Sequence, residues 1–206
     1  DFVPSRGLGD VYKRQAEFNL FADCRPVVSW IWEEGHTDTQ EVRTLVRDWF
    51  STSHSQFNLI IKLRPDARPQ LIAELQKQFN TNSANCRIIS NELDANLIAW
   101  NSHILMGQVS TVLTQGAYMQ KPVVVLDPLE NRRHSPLVHS GIAVTVSASE
   151  NLESVLEQLY TPDSQLSKQL EKKRVQLNFA QNGSANITDA IVTLLEQPTP
   201  KTASST

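Results

Sequence analysis

"HILMGQVSTVLTQGAYMQKPVVVLD", His103 to Asp127, carries strand, turn, helix and strand in one run. "HILMGQ" is short and apolar, as a strand is, and reads as ending at Met106. Gly107 follows, where a residue without a Cβ lets the backbone turn tightly. Ser110 and Thr111 then open "STVLTQGAYMQ", and serine and threonine are residue types that cap helix starts with a side-chain oxygen. "KPVVVLD" is the next strand, near-continuously apolar as a strand covered on both faces must be. A helix start also offers unpaired backbone N–H groups at the positive end of its dipole, so a hydroxyl beside it makes a natural phosphate site. Plain N-capping is the ordinary alternative for the same residues.

The same alternation extends both ways. Upstream, "RPVVSWIW" (25–32), "FNLIIKL" (57–63) and "NCRIIS" (85–90) read as strands. Between them, Val42, Leu45, Val46 and Trp49 recur at helical spacing behind a cap at Thr37 or Asp38. "PQLIAELQKQF" begins with Pro69, which fits a helix's first turn. "DANLIAWNS" reads as a short helix capped by Asp94. Downstream, "PLENRRHSPLVHS" reads as a polar loop and "GIAVTVS" as a sixth strand. "SENLESVLEQLY" is a helix with Ser149 as N-cap and Leu152, Val155, Leu156 and Leu159 on one face. "SQLSKQLEKKRVQLNFAQ" and "SANITDAIVTLLEQ" read as helical.

Strands alternating with helices through short connections predict an α/β class: a Rossmann-like, parallel six-stranded sheet with helices on both faces. In such a sheet ligands sit beyond the carboxyl ends of the strands. The positions to watch are therefore Glu33–His36, Arg64–Arg68, Asn91–Asp94, Gly107–Thr111 and Asp127–His134.

Composition narrows the function. The chain has 206 residues and a formal net charge of −3. A mildly acidic balance argues against a nucleic-acid footprint. No apolar run approaches the roughly 20 residues of a membrane span. Cys24 and Cys86 are far apart and read as reduced structural thiols. His36, His54, His103 and His139 are scattered without ligand spacing, so no metal site is assigned. Asn182 and Asn186 match the glycosylation pattern and are read as chance. The four tryptophans read as core or interdomain packing, and Lys172 to Arg174 as a solvated helix face.

The first residues read differently. "SRGLGDVYKRQ", Ser5 to Gln15, back-translates with one choice of codons to the adapter of transposase-based sequencing libraries. Its GLGD is therefore discounted as a phosphate loop. Residues 1–15 are expected to be a non-native, disordered leader, 16–197 the domain, and 198–206 a disordered polar tail. A natural N-terminus and a further N-terminal domain upstream of Ala16 are expected with it.

Asp94, then Ser110, Thr111, Val112, Leu113, Gly116, Lys121 and Pro122 in "NSHILMGQVSTVLTQGAYMQKPVVV", stand in a telling order. The segment resembles the C-terminal, donor-binding domain of GT-B-type glycosyltransferases, a class related to CDP-alcohol polymerases and UDP-sugar 2-epimerases. "LIIKLRPDA" is similar to that class's strand ending in a basic residue and proline. "SGIAVTVSASENLESVLEQLY" is similar to the strand and helix that follow its sugar-nucleotide loop. Gly183, Ser184, Ala185 and Ile187 fit its closing pattern, so the resemblance covers about 25–196. Two positions depart from it: Gln115 stands where an acidic residue often contacts the donor ribose, and Gln120 at the usual glycine before Lys-Pro.

The resemblance implies a nucleotide diphosphate sugar as donor substrate and no permanently bound cofactor. It places Arg64, Gly107, Ser110, Thr111 and Gln115 at the nucleotide and its diphosphate. Ser90, Asn91 and Glu92 fall where such folds hold the base, and Arg132, Arg133 and His134 in a loop that could reach sugar or diphosphate. Arg64 has the alternative of a surface ion pair with Asp66, Ser90 to Glu92 of a plain turn, and the basic loop of a solvated one. The function expected is glycosyl transfer in polysaccharide biosynthesis. The catalytic base is unassigned and expected upstream, and these residues alone are expected to be inactive. A cytoplasmic location follows, with membrane association as the alternative. A UDP-sugar 2-epimerase-like domain and a non-catalytic binding domain remain the other two readings.

Overall fold

In the computed structural model the described residues are 20–35, 38–52, 56–79, 84–131 and 135–176. Six strands alternate with seven helices among them. They are β1 (Val27–Ile31), α1 (Thr39–Thr52), β2 (Asn58–Lys62), α2 (Pro69–Gln78), β3 (Cys86–Ile89) and α3 (Ala95–Asn101). Then come β4 (Ile104–Gly107), α4 (Thr111–Tyr118), β5 (Val123–Leu126), α5 (Pro136–His139), β6 (Val144–Val146), α6 (Ser149–Tyr160) and α7 (Gln165–Gln176).

The strands form one sheet in the order β3-β2-β1-β4-β5-β6, every pairing parallel. The expected α/β, Rossmann-like architecture is therefore present. Alternate side chains divide the strands between two cores, as the two-residue period requires. Leu59, Ile61, Ile104, Met106, Val124 and Leu126 meet helices α1, α2, α6 and α7 on one face. Leu105, Val123 and Val125 meet Ala99 of α3, Leu113 and Ala117 of α4 and Leu137 of α5 on the other. Ile60 and Ile89 share that other alternation with Ile98 and Phe21.

Local chemistry fixes the helix starts. Asp94 accepts from the N–H groups of Asn96 and Leu97, and Pro69 occupies the first turn of α2. Asp38 immediately precedes α1, and its carbonyl accepts from Val42 N. The sequence expectation fails at small points: Arg174, read as part of a solvated helix face, is buried in α7. α6 is capped by Ala148, with Ser149 already helical. The polar loop after β5 contains α5, a single turn begun by Pro136 and closed over buried Leu137. Three buried tryptophans, Trp30, Trp32 and Trp49, behave as core, whereas Trp100 is half exposed with Lys121 Nζ 6.0 Å from its ring centre.

The end of α4 shows how this sequence replaces an expected glycine. Gln120 has φ 63°, in the left-handed region. Its N–H donates to Ala117 O, and Lys121 N donates to Gly116 O, each at 3.0 Å. That pair of bonds closes the helix as a Schellman turn, which glycine usually serves at the left-handed position. Buried Arg174 of α7 donates to the carbonyls of Gln120 and Lys121, tying α7 to the same turn. The leader 1–15, the tail 198–206, the segment 184–197 and the loop Arg132–His134 lie outside the described residues.

Candidate nucleotide cleft

The strand order reverses between β1 and β4, and a doubly wound sheet leaves a crevice at that point. Here the crevice is a cleft of about 570 Å³ beyond the carboxyl ends of β1, β2 and β3. Its walls come from four places. Trp32, Glu33 and Glu34 follow β1, and Lys62, Leu63, Arg64 and Pro65 end β2. Ser90, Asn91, Leu93, Asp94 and Ala95 run from β3 into α3. Ser110, Thr111 and Val112 form the start of α4.

The α4 start presents backbone N–H groups of the kind that suit an anion. Ser110 is its N-cap, with an extended backbone (φ −144°, ψ 144°) and a hydroxyl that accepts from Val112 N at 3.2 Å. The remaining first-turn N–H groups carry the positive end of the helix dipole. A buried bond holds this loop in place: Gln108, just after β4, donates through Nε2 to Asp38 Oδ1 at 2.8 Å. Both side chains are almost fully enclosed, so the β4–α4 loop is fastened to the start of α1.

The cleft carries both signs of charge, with Asp94 beyond β3. Glu33 and Glu34 lie at the β1 end, and Lys62 and Arg64 at the β2 end. Lys62 is buried, and its ammonium donates to the carbonyls of Leu63 and Ser90. Burial pushes its pKa down, opposed by Glu92 and Asp94. Sequence reasoning missed Lys62. Its signal was present: a lysine closing an otherwise apolar strand, where a solvated face is impossible.

Other predicted residues separate into groups. Arg64, Ser90, Asn91, Ser110 and Thr111 are brought together at the cleft. Arg64 also makes the alternative surface pair, with Nε 3.2 Å from Asp66 Oδ1 and both side chains largely exposed. Glu92 does not line the cleft. Its carboxylate accepts from Ser90 N at 2.7 Å and folds the loop instead. Backbone N–H groups, its own first, hold the Glu92 carboxyl below the ordinary carboxylate value.

Gly107 is the last residue of β4, paired with Ile31, and does not take a positive φ. Glycine is needed there for close approach, because a Cβ would lie 2.8 Å from Ile31 O. Gln115 is exposed one turn into α4 and does not line the cleft. Among the described residues no group of three metal-ligating side chains exists, and no helix is long and apolar enough to cross a membrane.

No family model and no curated protein sequence matches the chain. Solved structures do match its fold. The UDP-GlcNAc 2-epimerase of Neisseria meningitidis, bound to UDP-GlcNAc, is 16% identical, with a TM-score of 0.63 over 90% of this chain and 49% of the epimerase. A glycosyltransferase of Rickettsia africae is 14% identical, with a TM-score of 0.60 over 93% of this chain and 53% of that one. The wall teichoic acid polymerase TagF is 12% identical, with a TM-score of 0.60 over 89% and 46%. The chain thus spans about half the length of each. The likeness establishes the fold: a Rossmann-like α/β unit of the kind found in GT-B glycosyltransferases and UDP-GlcNAc 2-epimerases, as the order of motifs implied.

Proposed function

We propose that this chain is the donor-binding domain of a glycosyltransferase, holding a nucleotide diphosphate sugar in the cleft at the β1/β4 switch point. The observation that carries the proposal is the convergence of the Ser110-capped start of α4 with Lys62 and Arg64 around one cleft. Helix N–H groups and a guanidinium both suit a diphosphate, and a leaving diphosphate stabilised this way lowers the barrier to glycosyl transfer. Ser90 and Asn91 also line the cleft and are the side chains proposed to meet the base. The acceptor would be held by a further part of the protein facing the cleft, a reading supported by the chain's spanning only about half the length of each matched structure.

A neighbour bound to UDP-GlcNAc and another solved with UDP support a nucleotide ligand by analogy of fold. The 2-epimerase reading has the same fold support. It needs acid–base groups at a sugar carbon; among the described residues the cleft's carboxylates are Glu33, Glu34 and Asp94, of which Asp94 is committed to capping α3, and the Lys62 ammonium is committed to two carbonyls. Transfer is therefore preferred.

Calorimetric titration of the chain with UDP, CDP and GDP tests the binding claim. Saturable binding of at least one, weakened about tenfold by Arg64→Ala, is expected. No binding of any of the three would remove the reading. Isomerisation of a free nucleotide sugar by the full-length protein would favour the epimerase alternative.

A further inference from the structure

The parallel pairing of β2 with β3 ends on Lys62, which stands opposite Ile89. One more backbone bond follows, from Leu63 N to Ile89 O at 2.8 Å. Past it, no backbone bond joins the two segments among the described residues. A side chain takes over there. The Lys62 ammonium donates to Leu63 O at 2.8 Å and to Ser90 O, one carbonyl on each segment. It therefore adds a rung beyond the sheet, between the exits of β2 and β3.

A buried lysine is a costly rung. Lys62 is 4% exposed, and burying an ammonium forfeits its hydration. Its hydrogen-bond partners are neutral carbonyls. Burial holds its pKa below the ordinary lysine value, with Glu92 and Asp94 opposing. Desolvation thus offsets most of what two charge-assisted bonds contribute, and net stability does not account for the residue. Its place does. Arg64 and Pro65 lie directly beyond Leu63, Ser90 and Asn91 directly beyond Ile89, and all four line the cleft. Ser90 is held from both sides: Lys62 binds its carbonyl, and the Glu92 carboxylate accepts from its N–H at 2.7 Å. Opposite charges grip the two backbone groups of one cleft-wall residue.

We infer that Lys62 is a positioning residue, whose ammonium fixes the spacing between the Arg64 and Ser90–Asn91 walls of the cleft. The cross-link stands on the geometry alone; that the spacing serves nucleotide binding rests on the function proposed above.

Lys62→Met in the full chain tests it, because methionine keeps an unbranched stem and removes the donors. Amide hydrogen exchange, urea unfolding and nucleotide titration read the result. The expected change is local. The amides of Leu63, Ala67 and Ser90, each bonded within or between the two walls, should exchange about tenfold faster. Amides of β1 and β5 and the urea midpoint should keep their values. Affinity for whichever of UDP, CDP and GDP the unaltered chain binds should fall about tenfold. Unchanged exchange at those three amides overturns the inference. So does a lower urea midpoint with protection lost throughout, which would make Lys62 a stability residue, and so does faster exchange with undiminished affinity. If the unaltered chain binds none of the three, the nucleotide reading fails, and the exchange rates still decide whether Lys62 sets the two walls.

Discussion

Gln120 and His103 show how single side chains carry costs that the sequence hides. Gln120 sits at φ 63° to close α4, and a side chain in the left-handed region costs about 1–2 kcal/mol. Gln120→Gly relieves that strain but frees the unfolded chain, which takes back about 0.4–1 kcal/mol. A net gain of about 0.5–1 kcal/mol in urea-unfolding stability is expected, and because Arg174 binds the backbone carbonyl here, its bond survives. The departure from glycine could be read in the sequence. That the helix would still end in a left-handed turn could not, because glutamine gives no sign of it.

His103 accepts from Val27 N through Nδ1 at 3.0 Å, at the start of β1. Burial first, and Lys121 second, lower its pKa from 6.5. The folded value lies below the unfolded one, so folding favours the neutral ring. The stabilisation is complete above the unfolded value near 6.5 and is lost as pH falls through it towards the folded value. Thermal midpoints of the chain should therefore drop as pH is lowered across that window. His103→Asn keeps an acceptor without titrating, and its midpoints should vary less over the same window.

At the scale of elements, the strands were the readable part. "PVVVL" and "NLIIKL" are apolar on both faces because both faces are covered. α5 was not readable, since four residues are too few to show a period. α4 is the element on which the site turns, and it presses closely on β4. A Cβ at Gly116 would lie 2.0 Å from Cδ1 of fully buried Leu105. Gly116→Ala should cost about 1–3 kcal/mol of overpacking, against about 1 kcal/mol gained in helix propensity. A net fall in the urea midpoint is expected, and the α4 start should shift with it. The sequence named Ser110 and Thr111 correctly as a helix start, because capping chemistry is local. It could not show that Gln115 faces solvent or that Glu92 folds its own loop, because both depend on tertiary placement.

For the whole molecule, topology puts the site where it is. The reversal of strand order between β1 and β4 brings together residues from 32 to 112 that are remote in sequence. Alternation of strands and helices made that crevice predictable as a place, but its contents were only half visible. Lys62 and Trp32 look like strand residues in the sequence, and only the fold turns them to the cleft. Asp38 and Gln108 are likewise paired only by the fold, and they fasten the β4–α4 loop to the start of α1. Gln108→Ala leaves the Asp38 carboxylate without that donor, so stability should fall by about 1–3 kcal/mol. Nucleotide affinity should fall with it if the loop loosens, which calorimetry on the folded variant would read.

The cleft is proposed to bind a nucleotide diphosphate through the start of α4. Backbone amide NMR of the full chain, titrated with UDP, CDP and GDP, tests it most directly. The predicted result is a saturable response to at least one of them, largest at 110–113, 62–65 and 90–94. Absence of any saturable response, or one confined to the separate groove between β6 and α7 around Gly141 and Lys173, would contradict it.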